Sequence, residues 1–304
     1  MMQPMQSLPF DKPGHWFRGN LHSHSTHSDG RKTPAQVCAA YRRHGYDFLS
    51  LTDHFMERYD WPITDTTRFR TKTFTTILGA ELHTPKTSLG DLWHILAVGL
   101  PENFTPPGKR ESGARLAQRA RDAGAYVATA HPAWYDLTDR DVLAIKAAHA
   151  IEIFNTTCFK HNGKGDSVGY LDRLLSQGHR YHAIATDDTH FMETQPDTFE
   201  NWVMVRARAL APEVLLEALH GGHFYSSQGP EIRTLKQTGQ TLRLTMSPVR
   251  QVQISSRSSS SACFNAKHDI TEARIDISAI KGDYVRVTVV DKRGRKAWTN
   301  PIWR

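Results

Sequence analysis

Apolar and polar positions follow two different periods along this chain. Through about residue 230, short apolar and β-branched runs are separated by amphipathic stretches. "FRGNLHSH" (17–24) reads as a strand. Thr33 as N-cap and Pro34 at the first helical position predict a helix that Gly45 closes. Strands are predicted at 47–54, 75–82, 93–100, 125–132, 150–155, 181–188 and 201–207. Helices are predicted at 112–123, from Asp139, at 167–177 and at 212–219, with Gly124, Gly178 and Gly221 as stops. Strands alternating with helices predict a parallel α/β architecture, and about seven such units suit one closed barrel better than two small domains.

After residue 230 the period becomes two. "TLRLTM", "VRQVQISS", "EARIDIS" and "DYVRVTVVD" alternate apolar with polar, and "DKRGRKAW" supplies a hairpin turn. An antiparallel β appendage without helices is expected there. The expected division is a lead-in at 1–17, a barrel at 18–230 and the appendage at 231–304.

Polar residues gather where the predicted strands end. His22 and His24 end the first strand, and Asp53 and His54 the second. Glu81 ends the third, the fourth holds His94, and His131 follows "VATA". Asp187, Asp188 and His190 follow "AIAT". In parallel barrels these ends converge on one mouth. Alternate strand residues share a face, so both imidazoles of His22-x-His24 can reach one ion. Imidazole and carboxylate are ligands for zinc, iron and manganese, and a carboxylate such as Glu81 can bridge two ions. The candidates are too many for one tetrahedral zinc, so two or three divalent metal ions are expected.

The chain has 304 residues, 17 of them histidine, which is rich enough to make the placement informative. No GxxxxGKS loop, GxSxG elbow or GxGxxG turn is present. Three widely spaced cysteines form no disulfide framework and no CxxC, which fits a reducing compartment. No apolar run suits a membrane helix and the N-terminal segment does not read as a secretory signal, so a cytoplasmic protein is expected. The net charge of +7 sits in the last quarter: residues 231–304 carry 14 Lys/Arg against 6 Asp/Glu. Such a field can attract an anionic substrate or a polyanion.

"LHSHSTHSDG", "LTDH", "GAE", "WHILAVG", "AHP" and "DDTH", in this order over about residues 18–230, resemble the motifs of the PHP (polymerase and histidinol phosphatase) superfamily. "FYSSQGPEI" and the tail ending "GRKAWTNPIW" resemble its carbaryl-hydrolase-like branch, which includes carbamate-hydrolysing members. The resemblance implies a distorted (β/α)7 barrel holding two or three zinc, manganese or iron ions and hydrolysing phosphoesters. It implies a first metal on His22, His24, Glu81 and Asp188, a second on Glu81, His94 and His131, and a third on Asp29, His54 and His190. The usual S-D-x-H reads Thr186-Asp187-Asp188-Thr189-His190 here, so Asp188 keeps the ligand spacing and Asp187 stands behind it. His83 is the alternative to His94, and Asp53 is expected to hydrogen-bond a ligand or a helix end. His27 is left over from the first motif and is a candidate for facing substrate.

The expected reaction is metal-assisted hydrolysis of a small phosphate ester by hydroxide bridging the metals, with His27, Arg31 and His161 as candidate helpers at the substrate and Lys32 and Lys160 as further cations. A carbamate, ester or amide hydrolase with the same site is the alternative. A nuclease or nucleic-acid-binding protein using the basic C-terminal quarter is the rival from another class.

Overall fold

The computed structural model describes residues 8–304. The N-terminal part runs β1 (His15–Asn20), α1 (Pro34–Arg43), β2 (Phe48–Leu51), β3 (His54–Phe55), β4 (Thr75–Pro85), β5 (Leu92–Val98), α2 (Gly113–Asp122), β6 (Tyr126–Thr129) and α3 (Asp139–Ala144). It continues through β7 (Ala150–Asn155), α4 (Thr156–Asn162), α5 (Val168–Ser176), β8 (His182–Thr186), β9 (Trp202–Ala207), α6 (Pro212–His220) and β10 (Phe224–Ser227). The remainder is all strand: β11 (Ile232–Thr238), β12 (Thr241–Ser255), β13 (Ser261–Asp276), β14 (Tyr284–Val290), β15 (Lys296–Thr299) and β16 (Ile302–Trp303).

Local chemistry fixes the helix starts. Thr33 and Gln36 form a reciprocal capping box before α1, as do Thr138 and Asp141 before α3. Ser112 caps α2, and Asn155 caps α4 through the Cys158 amide.

The strands form one mixed sheet, ordered β11-β12-β14-β15-β10-β9-β1-β2-β4-β5-β6-β7-β8. The expectation of parallel strands throughout needs correction. β1-β2-β4 and β6-β7-β8 pair in parallel, but β5 is antiparallel to both β4 and β6, and β9 is antiparallel to β1. Only a few residues separate β4 from β5, too few for a crossover helix, so the chain must return as a hairpin.

No ladder closes this sheet among the described residues. Instead the segments leaving β1 and β8 meet: Ser23 bridges Thr189, the His24 amide donates to Thr189 O at 2.9 Å, and the Asp188 amide donates to His22 O at 3.0 Å. On β10, Ser226 Oγ accepts from the Ala185 amide and donates to the Ala183 carbonyl.

One apolar cluster, with Leu21, Phe48, Leu96, Tyr126, Ile184 and Phe224, packs inside these strands. Leu242, Val252, Val287 and their neighbours make a separate core between the C-terminal strands. The two parts share a sheet, because β15 pairs with β10 from Tyr225↔Thr299 to Ser227↔Ala297. Trp298 is buried in a third cluster with Ile153, Phe154 and Tyr284. No helix among the described residues is long and apolar enough to cross a membrane.

Candidate metal centre

β1 ends at Asn20, so His22 and His24 stand on the segment that bends over the end of the sheet, and both are fully buried. Gly30 allows the following loop to fold back: a Cβ there would lie 2.7 Å from the His24 carbonyl. The loop brings Asp29 to His54 and His190, 3.3 Å from an Nε2 of each. Asp53 fastens the loop by accepting from the Ser25 amide and from the Ser25, Ser28 and Thr64 hydroxyls. The third strand of the sequence reading delivers Glu81 on β4. His94 arrives by a different route: it lies near the start of β5, and the antiparallel course of that strand carries it to the same rim, opposite His83.

Glu81 is the hub. Its Oε1 lies 2.7 Å from His94 Nδ1, 3.2 Å from His131 Nε2 and 3.6 Å from His22 Nε2. Its Oε2 lies 2.6 Å from His54 Nδ1, 3.5 Å from His83 Nε2 and 3.7 Å from His24 Nε2. Asp188 Oδ1 is 2.9 Å from His24 Nε2 and 3.1 Å from His22 Nε2. His131 and Asp188 both have positive φ, 25° and 54°, a backbone conformation costing about 1–3 kcal/mol each that the surrounding contacts must hold.

All nine predicted ligands fall in four overlapping groups: His22-His24-Asp188, His22-Glu81-His131, His24-Asp29-His54-His190 and His54-Glu81-His83-His94. Asp29, His54 and His190 share one group and His22, His24 and Asp188 another, in keeping with the first and third sets of the resemblance; the second set is divided between groups, although Glu81 Oε1 faces both of its imidazoles. His94 sits with His54 and His83, while His131 sits with His22.

Three observations fit this donor set to divalent cations. Imidazoles and carboxylates, the donor types of zinc, iron and manganese sites, converge from separate strands. His22 Nε2 and Glu81 Oε2 are buried and have no partner in a hydrogen-bonding direction, despite their close neighbours. His54 Nδ1 and His83 Nε2 face each other at 2.9 Å, a contact that needs a proton or a cation between or beside them.

Burial disfavours ionisation of Glu81, but His94, His54 and His22 hold its carboxyl well below the ordinary range. Burial and neighbouring imidazoles depress His24 to about 4 and His94 to about 3, whatever help Asp188 and Glu81 give. Four others go the other way against burial: Glu81 and Asp29 push His54 up to about 10, and neighbouring carboxylates also raise His22, His131 and His190.

Behind the centre stands Glu152, which sequence reasoning missed. Its Oε1 accepts from His22 Nδ1 at 2.9 Å and from the Thr186 hydroxyl. Its Oε2 accepts from the His131 amide at 2.7 Å and from Asn155 Nδ2 at 2.9 Å. The available signal was a single carboxylate inside the apolar strand "AIEIFN". Asp187 faces away from the imidazoles and accepts from Tyr41, Asn20, Thr156 and the amides of Phe199, Glu200 and Asn201. Tyr135, also missed, places its hydroxyl 2.8 Å from His94 Nε2.

The three candidate helpers lie outside the groups. His27 is exposed, with Nδ1 2.9 Å from the Thr64 hydroxyl. Arg31 is exposed and its amide donates to the His190 carbonyl. His161 is exposed against Trp134, ring centroids 5.2 Å apart. Lys160 pairs with Glu200, and Lys32 lies over the Phe191 ring.

The sequence matches no protein-family model and no curated protein. Among solved structures, the chain is similar to a two-domain protein from Bacteroides vulgatus ATCC 8482 containing a predicted PHP-like metal-dependent phosphoesterase, over 99% of both chains at 16% identity and a TM-score of 0.53. A proposed metal-dependent phosphoesterase from Bifidobacterium adolescentis ATCC 15703 aligns with 67% of this chain and 96% of its own, at 14% identity and a TM-score of 0.48. An amidohydrolase from Chromobacterium violaceum, with bound sulfate and no metal, aligns over 57% and 87% at 17% identity and 0.43. The first of these likenesses establishes a shared fold along the whole chain.

Proposed function

We propose that the chain is a metal-dependent hydrolase of the PHP kind acting on a small phosphate ester, with residues 18–230 carrying the centre and 231–304 as its β appendage. The observation that carries this reading is Glu81, a buried carboxylate whose two oxygens face six imidazoles, flanked by Asp29 and Asp188. The Bacteroides protein that shares this fold contains a predicted PHP-like metal-dependent phosphoesterase, which is in keeping with this reading.

His22, His24, Asp29, His54, Glu81, His94, His131, Asp188 and His190 would hold two or three divalent ions, zinc, manganese or iron, with His83 beside His94. Bound there, divalent ions supply Lewis acidity and lower the pKa of water from about 15.7 to near 7. The chain's own part is positional. Glu152 accepts a hydrogen bond from the Nδ1–H of His22 and so holds the proton there, leaving Nε2 to turn its lone pair inward. Asn155 Nδ2 spans Glu152 and Asp188, at 2.9 and 3.0 Å, and keeps those carboxylates in register. Arg31, next to the Asp29–His190 end, supplies positive charge to an incoming phosphate. His27 and His161 contact the substrate from the rim.

The test is elemental analysis of protein purified without added metal, combined with turnover of p-nitrophenyl phosphate, a phosphodiester and a naphthyl carbamate. Two or three equivalents of transition metal and preference for a phosphate ester are expected, and His22→Ala or Glu81→Ala should remove metal and turnover together. Preference for the carbamate would move the reading to carbonyl hydrolysis at the same centre. Activity surviving both substitutions would sink the site.

A further inference from the structure

A cavity of about 760 Å³ shares no residue with the histidine centre. Arg18 of β1, Trp202 of β9, Phe154 of β7, Phe159 of α4 and the β14–β15 turn at Arg293 line it. Its volume is that of a small-molecule site.

The charges on its wall do not balance. Glu200 pairs with Lys160 at 2.9 Å, Asp166 with Lys296 at 3.9 Å, and Arg295 with Asp291 at 2.7 Å. Arg18 and Arg293 make no ion pair among the described residues. Arg18 lies flat against two rings, its guanidinium carbon 3.6 Å from the Trp202 centroid and 4.0 Å from that of Tyr46. A guanidinium has five N–H donors. Here Nη1 makes one long contact of 3.5 Å to the His44 carbonyl, the Tyr46 side chain is a second hydrogen-bonding neighbour, and Nε is buried with no partner. Two guanidiniums without an ion pair leave uncompensated positive charge on the cavity wall, and a planar two-oxygen anion is the group that pairs with a guanidinium edge. Beside them Phe159 is 48% exposed, with its ring 5.3 Å from Phe154, so the same cavity offers an open apolar wall.

We propose that this cavity is a second ligand site, for a planar aromatic carboxylate whose anionic end meets Arg18 and Arg293 and whose ring packs on Phe154 and Phe159. The site is independent of the hydrolase reading above. Isothermal titration of the full-length, metal-loaded protein with 2-naphthoate tests it, with uncharged 2-naphthalenemethanol as the comparison. One saturable site with a Kd below about 1 mM is expected for the carboxylate, and binding about tenfold or more weaker for the alcohol. Arg293→Ala, on an exposed turn, and Arg18→Met should each weaken 2-naphthoate about tenfold. Should Arg18→Met fail to fold, Arg293→Ala decides. No saturable binding, equal affinity for the alcohol, or binding untouched by the arginine changes but lost in His22→Ala overturns the proposal.

Discussion

Replacing Glu152 by glutamine separates its role in folding from its role in the centre. The carboxylate meets four donors, two on each oxygen. Glutamine keeps one oxygen and turns an NH2 toward the other pair. Two donors cannot yield: the His131 amide is backbone, and Asn155 is anchored because its Oδ1 accepts from the Cys158 amide at 2.9 Å. The amide nitrogen must therefore face His22 Nδ1 and the Thr186 hydroxyl. Both can become acceptors, the hydroxyl by rotation and the imidazole by moving its proton to Nε2. Stability should fall by only about 1 kcal/mol. The proton on Nε2, however, occupies the lone pair that points at Glu81 and Asp188. Loss of an orienting carboxylate behind a ligating histidine costs about 10–100-fold in metal affinity, or about 1.4–2.8 kcal/mol. Competition against a chromophoric chelator measures the affinity, urea unfolding the stability, and 15N spectra of the imidazoles the tautomer. Unchanged metal affinity with His22 still protonated on Nδ1 would refute the argument.

Three further outcomes are expected. Asp187→Asn keeps three of six donors satisfied and lets Tyr41 turn, stranding about two, so urea unfolding should show a loss of about 2–6 kcal/mol with metal affinity much less affected. In metal-free protein, His54 is raised from 6.5 to about 10, so its contribution to stability is complete below pH 6.5 and fades as pH rises through about 10. Thermal melts of the metal-free form should therefore drop between pH 7 and 10, while metal-loaded protein gains from pH 5 to 8 as its imidazoles deprotonate to bind; a flat metal-free profile counts against the His54–Glu81–Asp29 contacts. Deleting 231–304 removes Trp298 from the core and Asn300, which links the Ala183 amide to the Gly222 and Phe224 carbonyls, so the shortened chain should fail to fold by circular dichroism.

The grouping of histidines and carboxylates in the candidate centre was legible because type, spacing and order are local properties. His22-x-His24 and the D-x-H of Asp188 and His190 need no knowledge of neighbours. Strand direction is not local, and so the reading placed His94 on one more parallel strand, where the hairpin pairs it with His83. Glu152 was invisible for another reason: a lone carboxylate in an apolar run means nothing until His22, 130 residues away in sequence, is found beside it. The alternation after residue 230 correctly marked strands. Their merger with β10 depends on pairs such as Ser227↔Ala297, which no periodicity encodes.

The β4–β5 hairpin has a consequence for how such a protein can diversify. His83 and His94 sit opposite each other in register, locked by the ladder from Gly79↔Val98 to Pro85↔Leu92. Beyond that ladder the tip is exposed at Ser88, Leu89 and Gly90, and Leu89 stands 64% free. Residues added at the tip leave the ladder, and with it the two imidazoles, where they are, because closing a longer loop costs only about 0.6 kcal/mol per doubling. Variation in loop length is thereby uncoupled from the donor geometry. The tip between Leu89 and Gly90 is accordingly the place to graft a reporter, or a new recognition loop, onto this molecule.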